Sequence, residues 1–165
     1  MASNDWGSAK IDGLRELNDA LKKLPEAVAK NVLRGATNAG ASVIRAEAKQ
    51  RAPVYTGSLI ARDHPPPGTL KKSIIQRQAR QLSSLVKQVF HVGVRSGRGV
   101  KDKAGRSLDA YYWRFVEFGT SKMAARPFLR PAFEAKKMAA VEAIRKYLAE
   151  RIPREAAKLN KGPLK

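Results

Sequence analysis

Proline outlines this chain before any other residue type does. Pro25, Pro53, Pro65, Pro66, Pro67, Pro127, Pro131 and Pro153 cut it into segments. A residue without an amide hydrogen, whose ring clashes with the preceding turn, starts or stops helices and stays out of central strands. Before the first cut, Leu14, Leu17, Leu21 and Leu24 recur at i, i+3, i+7 and i+10, the spacing of a short amphipathic helix. Pro25 suits the first turn of a second helix running from Glu26 to about Ala52, with Val28, Val32, Ala36, Ala39, Val43 and Ala46 along one side. Gly35 and Gly40 each cost that helix about 1 kcal/mol relative to alanine. With Ala36, Ala39 and Ala41 they form a small-residue face suited to close packing against another element or subunit.

Pro53 ends the helix, and residues 53–69, with three successive prolines and Gly57 and Gly68, read as a loop. Leu70 to Ala79 and Leu85 to Arg95 read as two strands of a hairpin. In the second, Val86, Phe90, Val92 and Val94 share one face with Gln88, opposite Lys87, Val89 and His91. Residues 96–107 are Gly-rich and basic, a loop by composition. Leu108 to Thr120 then places five of the chain's eleven aromatic residues (Tyr111, Tyr112, Trp113, Phe115 and Phe118) within eight positions. That density predicts a segment buried in the core or against a neighbour. Asp109 is a candidate cap for a helix here, and Gly119 a candidate terminator. A last helix is expected from about Arg130 to Ile152, burying Phe133, Val141, Ile144, Leu148 and Ile152 and closed by Pro153. The expected fold is α+β, a small antiparallel sheet packed against two N-terminal helices and a C-terminal helix. Its expected divisions are an arm over residues 1–10, one domain over 11–152 and a basic tail over 153–165.

Charge narrows the partners. Lysine and arginine number 33 against 14 acids, a net charge of +19. Residues 57–107 hold 11 basic and two acidic side chains, and residues 126–165 hold 11 and four, whereas residues 108–125 are neutral. Such a field attracts polyanions and releases their counterions. Arg95, Arg98, Lys101, Lys103 and Arg106, among glycines, are the candidate phosphate contacts. No aromatic residue interleaves them, which favours backbone contact over base stacking. A solvated hairpin end is the plainer reading of the same residues.

Catalytic signatures are sparse. There is no cysteine and only His64 and His91, which argues against a structural zinc site. Asp63-His64 lies against prolines, no G-x-S-x-G occurs, and Gly97-Arg98-Gly99 lacks both Walker spacing and a third glycine. No catalytic residue, metal or cofactor is expected. Met1 to Lys10 has no apolar stretch of the kind a secretory signal needs, and no window reaches the ~18 apolar residues of a membrane span. The expectation is a soluble product compatible with a reducing cytosol.

From Ala110, the string AYYWRFVEFGTSKMAARPFLRPAFE resembles the signature of the head–tail joining family of long-tailed phages, also described as tail-component or tail-completion proteins of the lambda-like gp-ten type. The pattern is an aromatic run, then Val116, Glu117, Phe118, Gly119 and Thr120, then a short basic linker containing Arg126, then Pro127, Phe128, Leu129, Arg130, Pro131 and Ala132. Ile11-Asp12-Gly13-Leu14 and Ala52-Pro53-Val54 with Thr56-Gly57 also resemble the family, so the likeness spans about residues 10–150. Ile60 to Thr69 departs from it, because the family passes almost directly from T-G-x-L into the L-x-x-S-I matched by Leu70 to Ile74.

The resemblance implies a virion protein of the neck or upper tail, made in the host cytoplasm. It implies a ring of identical subunits, contact with other neck and tail proteins, and non-specific contact with packaged DNA. A free nucleic-acid-binding protein is the alternative; it would need a recognition helix, and no helix-turn-helix signal is present. A hydrolase is a third reading, for which no convergent titratable groups assemble. Within the motif, Glu117 between Val116 and Phe118 is expected to be partly buried and to pair with Arg126 or Arg130, making a stiff corner between two helices.

Overall fold

The computed structural model describes residues 14–54, 65–96, 101 and 109–160. Along the chain lie α1 (Leu14–Lys22), α2 (Glu26–Arg51), α3 (Thr69–Ser73), β1 (Ile74–Gln78), β2 (Phe90–Val94), α4 (Trp113–Phe118) and α5 (Leu129–Asn160). The α+β expectation holds. β1 and β2 form an antiparallel ribbon, with Ile74 opposite Val94, Gln76 opposite Val92 and Gln78 opposite Phe90.

The backbone of the fold is α2 against α5. They run antiparallel, since Gly35 faces Tyr147, Gly40 faces Ile144 and Ala140, and Glu47 meets Lys136 at 3.7 Å. The small-residue face of α2 is therefore used within the chain. A Cβ on Gly40 would stand 2.8 Å from the Ile144 side chain and 3.0 Å from the Ala140 carbonyl. The buried side chains of α2 are Val32, Ala36, Ala41 and Ala48, with Gly40 among them, and Ala46 is exposed, contrary to expectation. A row that follows one helix face drifts over seven turns, because 3.6 residues per turn does not divide the spacing evenly. The helix buries one side against α5 and another against the ribbon.

Two apolar clusters result. At one end, Leu24, Val32, Ala36, Leu148 and Ile152 pack together, with Leu17, Leu21 and Ala156 against them. At the other, Ala48, Ala52, Leu70, Ile74, Ala110 and Ala132 surround Phe128, which is fully buried. The ribbon packs its inner face on α2, where the Gln76 Nε2 donates to Asn38 Oδ1 at 2.6 Å.

Several expected boundaries move. Residues Thr69 to Ser73 form a helical turn, not the start of a strand. Gly68 turns the chain at φ +80°, Thr69 Oγ1 donates to the Pro66 carbonyl at 2.7 Å, and Leu70 and Ile74 then face the core together. β2 begins at Phe90, not Leu85. Ser83 and Ser84 hold the preceding backbone, their hydroxyls accepting from the amides of Val89 and Lys87. Such serine bonds compete with a strand ladder, and Val86 is left 86% exposed, off the face it was expected to share.

α4 starts at Trp113 with Tyr112, not Asp109, at its N-cap position, and Gly119 ends it as expected. α5 is not closed by Pro153. It runs through to Asn160, and residues 153–160 belong to the helix and not to a tail. A mid-helix proline costs about 3 kcal/mol. Burial of Ile152 on one side of it and packing of Ala156 on the other offset that cost. Phe133 is 36% exposed, whereas Ala132 and Ala140 carry the buried stripe.

Gly40→Leu is expected to destabilise the protein by about 1–3 kcal/mol through overpacking against Ile144 and the α5 backbone. A lowered melting temperature by circular dichroism checks it; an unchanged one would place α2 farther from α5.

Candidate assembly site

The corner between α4 and α5 is built around one carboxylate. Glu117 is 4% exposed, and its oxygens accept from the backbone amides of Phe128 at 2.8 Å, Leu129 at 3.0 Å and Arg130 at 3.2 Å. A helix leaves its first amides without intrahelical acceptors, and its N-terminus carries partial positive charge. Glu117 satisfies three of these amides, and the next position is Pro131, which has none to offer. Ala132 then donates to the Phe128 carbonyl at 3.3 Å, the first bond of the helical ladder. Every amide in the first turn of α5 is thus accounted for by a glutamate from another helix and a proline from its own.

The expected pairing of Glu117 with Arg126 or Arg130 is therefore corrected. The Arg126 side chain is exposed, and its amide donates to the Val116 carbonyl at 2.8 Å. The Arg130 guanidinium lies over the Phe118 ring, 5.0 Å from its centroid. Backbone amides win because the helix terminus supplies donors at fixed positions, without the side-chain entropy an arginine must lose.

The link between the two helices is equally fixed. Gly119 adopts φ +75°, ψ 179°, a region open only to glycine, and a Cβ there would stand 2.9 Å from the Ala125 nitrogen. Thr120 and Met123 exchange backbone hydrogen bonds at 2.9 and 3.3 Å, and Thr120 Oγ1 accepts from the Lys122 amide at 3.2 Å. Pro127 is exposed, while Phe128 beside it plugs the core between Ala110 and Ala132.

Against this locked base, α4 divides its aromatic residues. Tyr112, Trp113 and Val116 pack on the Phe128 cluster. Burial pushes the Tyr112 hydroxyl pKa up, and a hydrogen bond with the Leu70 backbone pulls the other way. Tyr111, Phe115 and Phe118 point outward, 59%, 51% and 57% exposed. Phe115 and Phe118, three apart, share one face of α4, and Tyr111 is exposed in the turn just before it. Of the two readings of this aromatic run, core or contact with a neighbour, the outward residues fit the second. Phe115 and Met123 also line an apolar groove of about 450 Å³ with Pro53, Pro66, Leu70 and Tyr112.

The candidate phosphate contacts are only partly placed: Arg95 and Lys101 are exposed, and Arg98, Lys103 and Arg106 lie outside the described residues. So do Asp63, His64 and the Gly97-Arg98-Gly99 stretch. Among the described residues no group of three or more histidines and carboxylates converges, and no helix is long and apolar enough to cross a membrane.

A locked corner that turns aromatics outward is a scaffold feature, and the family comparison agrees. The family model described as "Bacteriophage HK97-gp10, putative tail-component" matches residues 15–119. The chain belongs to this family. Comparison with curated proteins and with solved structures gives no significant match. As a phage tail component the protein is a structural part of the virion and meets other virion proteins there. The matched span is narrower than the resemblance over residues 10–150, and it stops at Gly119. The P-F-L-R-P-A half of the signature lies beyond it, bound to the matched half through Glu117.

Glu117→Ala is expected to destabilise the tail component by on the order of 3 kcal/mol, since it strands buried amides. Arg126→Met should change stability by less than about 0.5 kcal/mol. Urea unfolding of the two variants separates the amide cap from an ion pair. A larger loss in the arginine variant would restore the ion pair.

Proposed function

We propose that this tail component joins the DNA-filled head to the tail, at the neck or upper tail, as a closed ring of identical subunits around the DNA path, and that it acts without catalysis. The exposed Phe115 and Phe118 on one face of α4, with Tyr111 exposed just before it, carry this reading. Contiguous apolar surface on a folded domain marks an interaction site. A rigid mount beneath it suits a contact that must repeat at one angle, because head-to-tail contacts close into a ring only when the rotation between subunits is fixed. The net charge of +19 supports proximity to DNA.

Removal of the gene should yield separate full heads and finished tails, seen by electron microscopy. Phe115→Asp with Phe118→Asp should give the same particles from a protein that still folds, with a cooperative thermal transition, since both side chains are more than half exposed. Infectious virions from the deletion would end the joining reading.

A further inference from the structure

The two-stranded ribbon has an inner face, packed on α2, and an outer one that carries the exposed Arg77 and His91. Ile74, Gln76, Phe90, Val92 and Val94 alternate inward toward α2 and the core. Ile75 opposite Gly93 and Arg77 opposite His91 therefore alternate outward, and Arg95, whose amide donates to the Ser73 carbonyl at 2.9 Å, continues that row.

Three observations on this face point the same way. First, residues 64–101 contain no aspartate or glutamate, yet they hold eight lysines and arginines. Among the described residues Arg77, Arg80 and Arg95 make no ion pair. Second, Arg77 sits directly across from His91, so its cross-strand neighbour offers it no carboxylate, and both side chains are exposed. Third, Gly93 stands mid-strand although no described atom lies within 4 Å of where its Cβ would be. Neither crowding nor a positive φ requires glycine there. A strand-interior glycine weakens the strand, and one use of it is to let a ligand or another backbone approach closely. Beside it, Arg77, Arg80 and His91 line an open hollow of about 730 Å³ with Gln78 and Gln81.

We infer that the outer face of the β1–β2 ribbon is a docking surface for the phosphodiester backbone of duplex DNA. Arg77, Arg80 and Arg95 supply the phosphate contacts, and Gly93 lets the backbone come close. Guanidinium forks match phosphate oxygens in pairs, which makes arginine suited to this work. Five residues per strand give a ribbon about 17 Å long, enough to follow several phosphates at one charge per ~1.7 Å of duplex axis. Duplex is favoured over single-stranded nucleic acid because the one aromatic residue of the ribbon, Phe90, faces inward and leaves no base-stacking platform. This inference rests on the joining reading for its biological setting, and it adds Arg77 and Arg80 of the ribbon's outer side to Arg95 as phosphate contacts.

The test measures binding of the full chain to a mixed-sequence duplex of about 30 base pairs by fluorescence anisotropy across ~50–200 mM salt. Arg77→Gln with Arg80→Gln and Arg95→Gln should lower the exponent of the salt dependence by about 2.7, at about 0.9 for each phosphate no longer neutralised. Gly93→Leu should weaken binding several-fold with no change in melting temperature. It serves as a second arm should the triple variant fold poorly. An unchanged salt exponent in a folded triple variant, or full affinity in Gly93→Leu, overturns the proposal. If the triple variant binds DNA normally but is not built into particles, the face serves an acidic protein and the DNA assignment falls. Lost DNA binding in variants whose gene can be deleted without harm to virions leaves the ribbon standing and removes only the joining reading.

Discussion

The structure depends on a carboxylate placed against the start of a helix. α5 spans 32 residues, packs along α2 and contributes to both apolar clusters. Its beginning has to be fixed in space for either cluster to form as it does. Glu117, held on a helix of only six residues, fixes it by taking three amides at once. Buried carboxylates are costly unless their oxygens are satisfied, and unsatisfied helix amides are costly too, so each removes the other's penalty. The same contact sets the angle of α4, and with it the direction in which Phe115 and Phe118 face.

This arrangement explains why the two halves of the sequence signature belong together. Glu117 and Gly119 lie on one side of the linker, Phe128 and Pro131 on the other. Glutamate supplies acceptors, Pro131 removes the amide that would be left over, Phe128 anchors the helix start in the core, and Gly119 makes the turn that brings them into register. None of these roles is catalytic. Each constrains geometry, as the ring proposed above would require of its subunit.

Much of the fold was legible in the sequence, and the reasons for the misses are specific. Leucine spacing marked α1, and Pro25 and Pro53 bounded α2 closely. The need for burial of Glu117 was visible from its apolar neighbours. Its partner was not, because side-chain charge is printed in a sequence whereas the free amides of a helix terminus appear only once the helix exists. Pro153 misled for a related reason: propensity argues for a stop, and the packing of Ile152 and Ala156 overrides it. The aromatic run stood out as apolar density, but which side of α4 would stay uncovered depended on where Phe128 came to rest. At the ribbon, alternation placed Phe90, Val92 and Val94 on one face as expected, while the serine bonds that shorten β2 involve hydroxyls no hydrophobic pattern reveals.

The most direct test is native-state hydrogen exchange at the amides of Phe128, Leu129 and Arg130. First-turn amides of a helix ordinarily exchange quickly, for want of intrahelical acceptors. If Glu117 caps α5 and anchors the fold, these three should exchange only through global unfolding, with free energies close to those of core amides in α2. Exchange as fast as that of exposed loop amides would show the corner to be open, and the account built on it would fail.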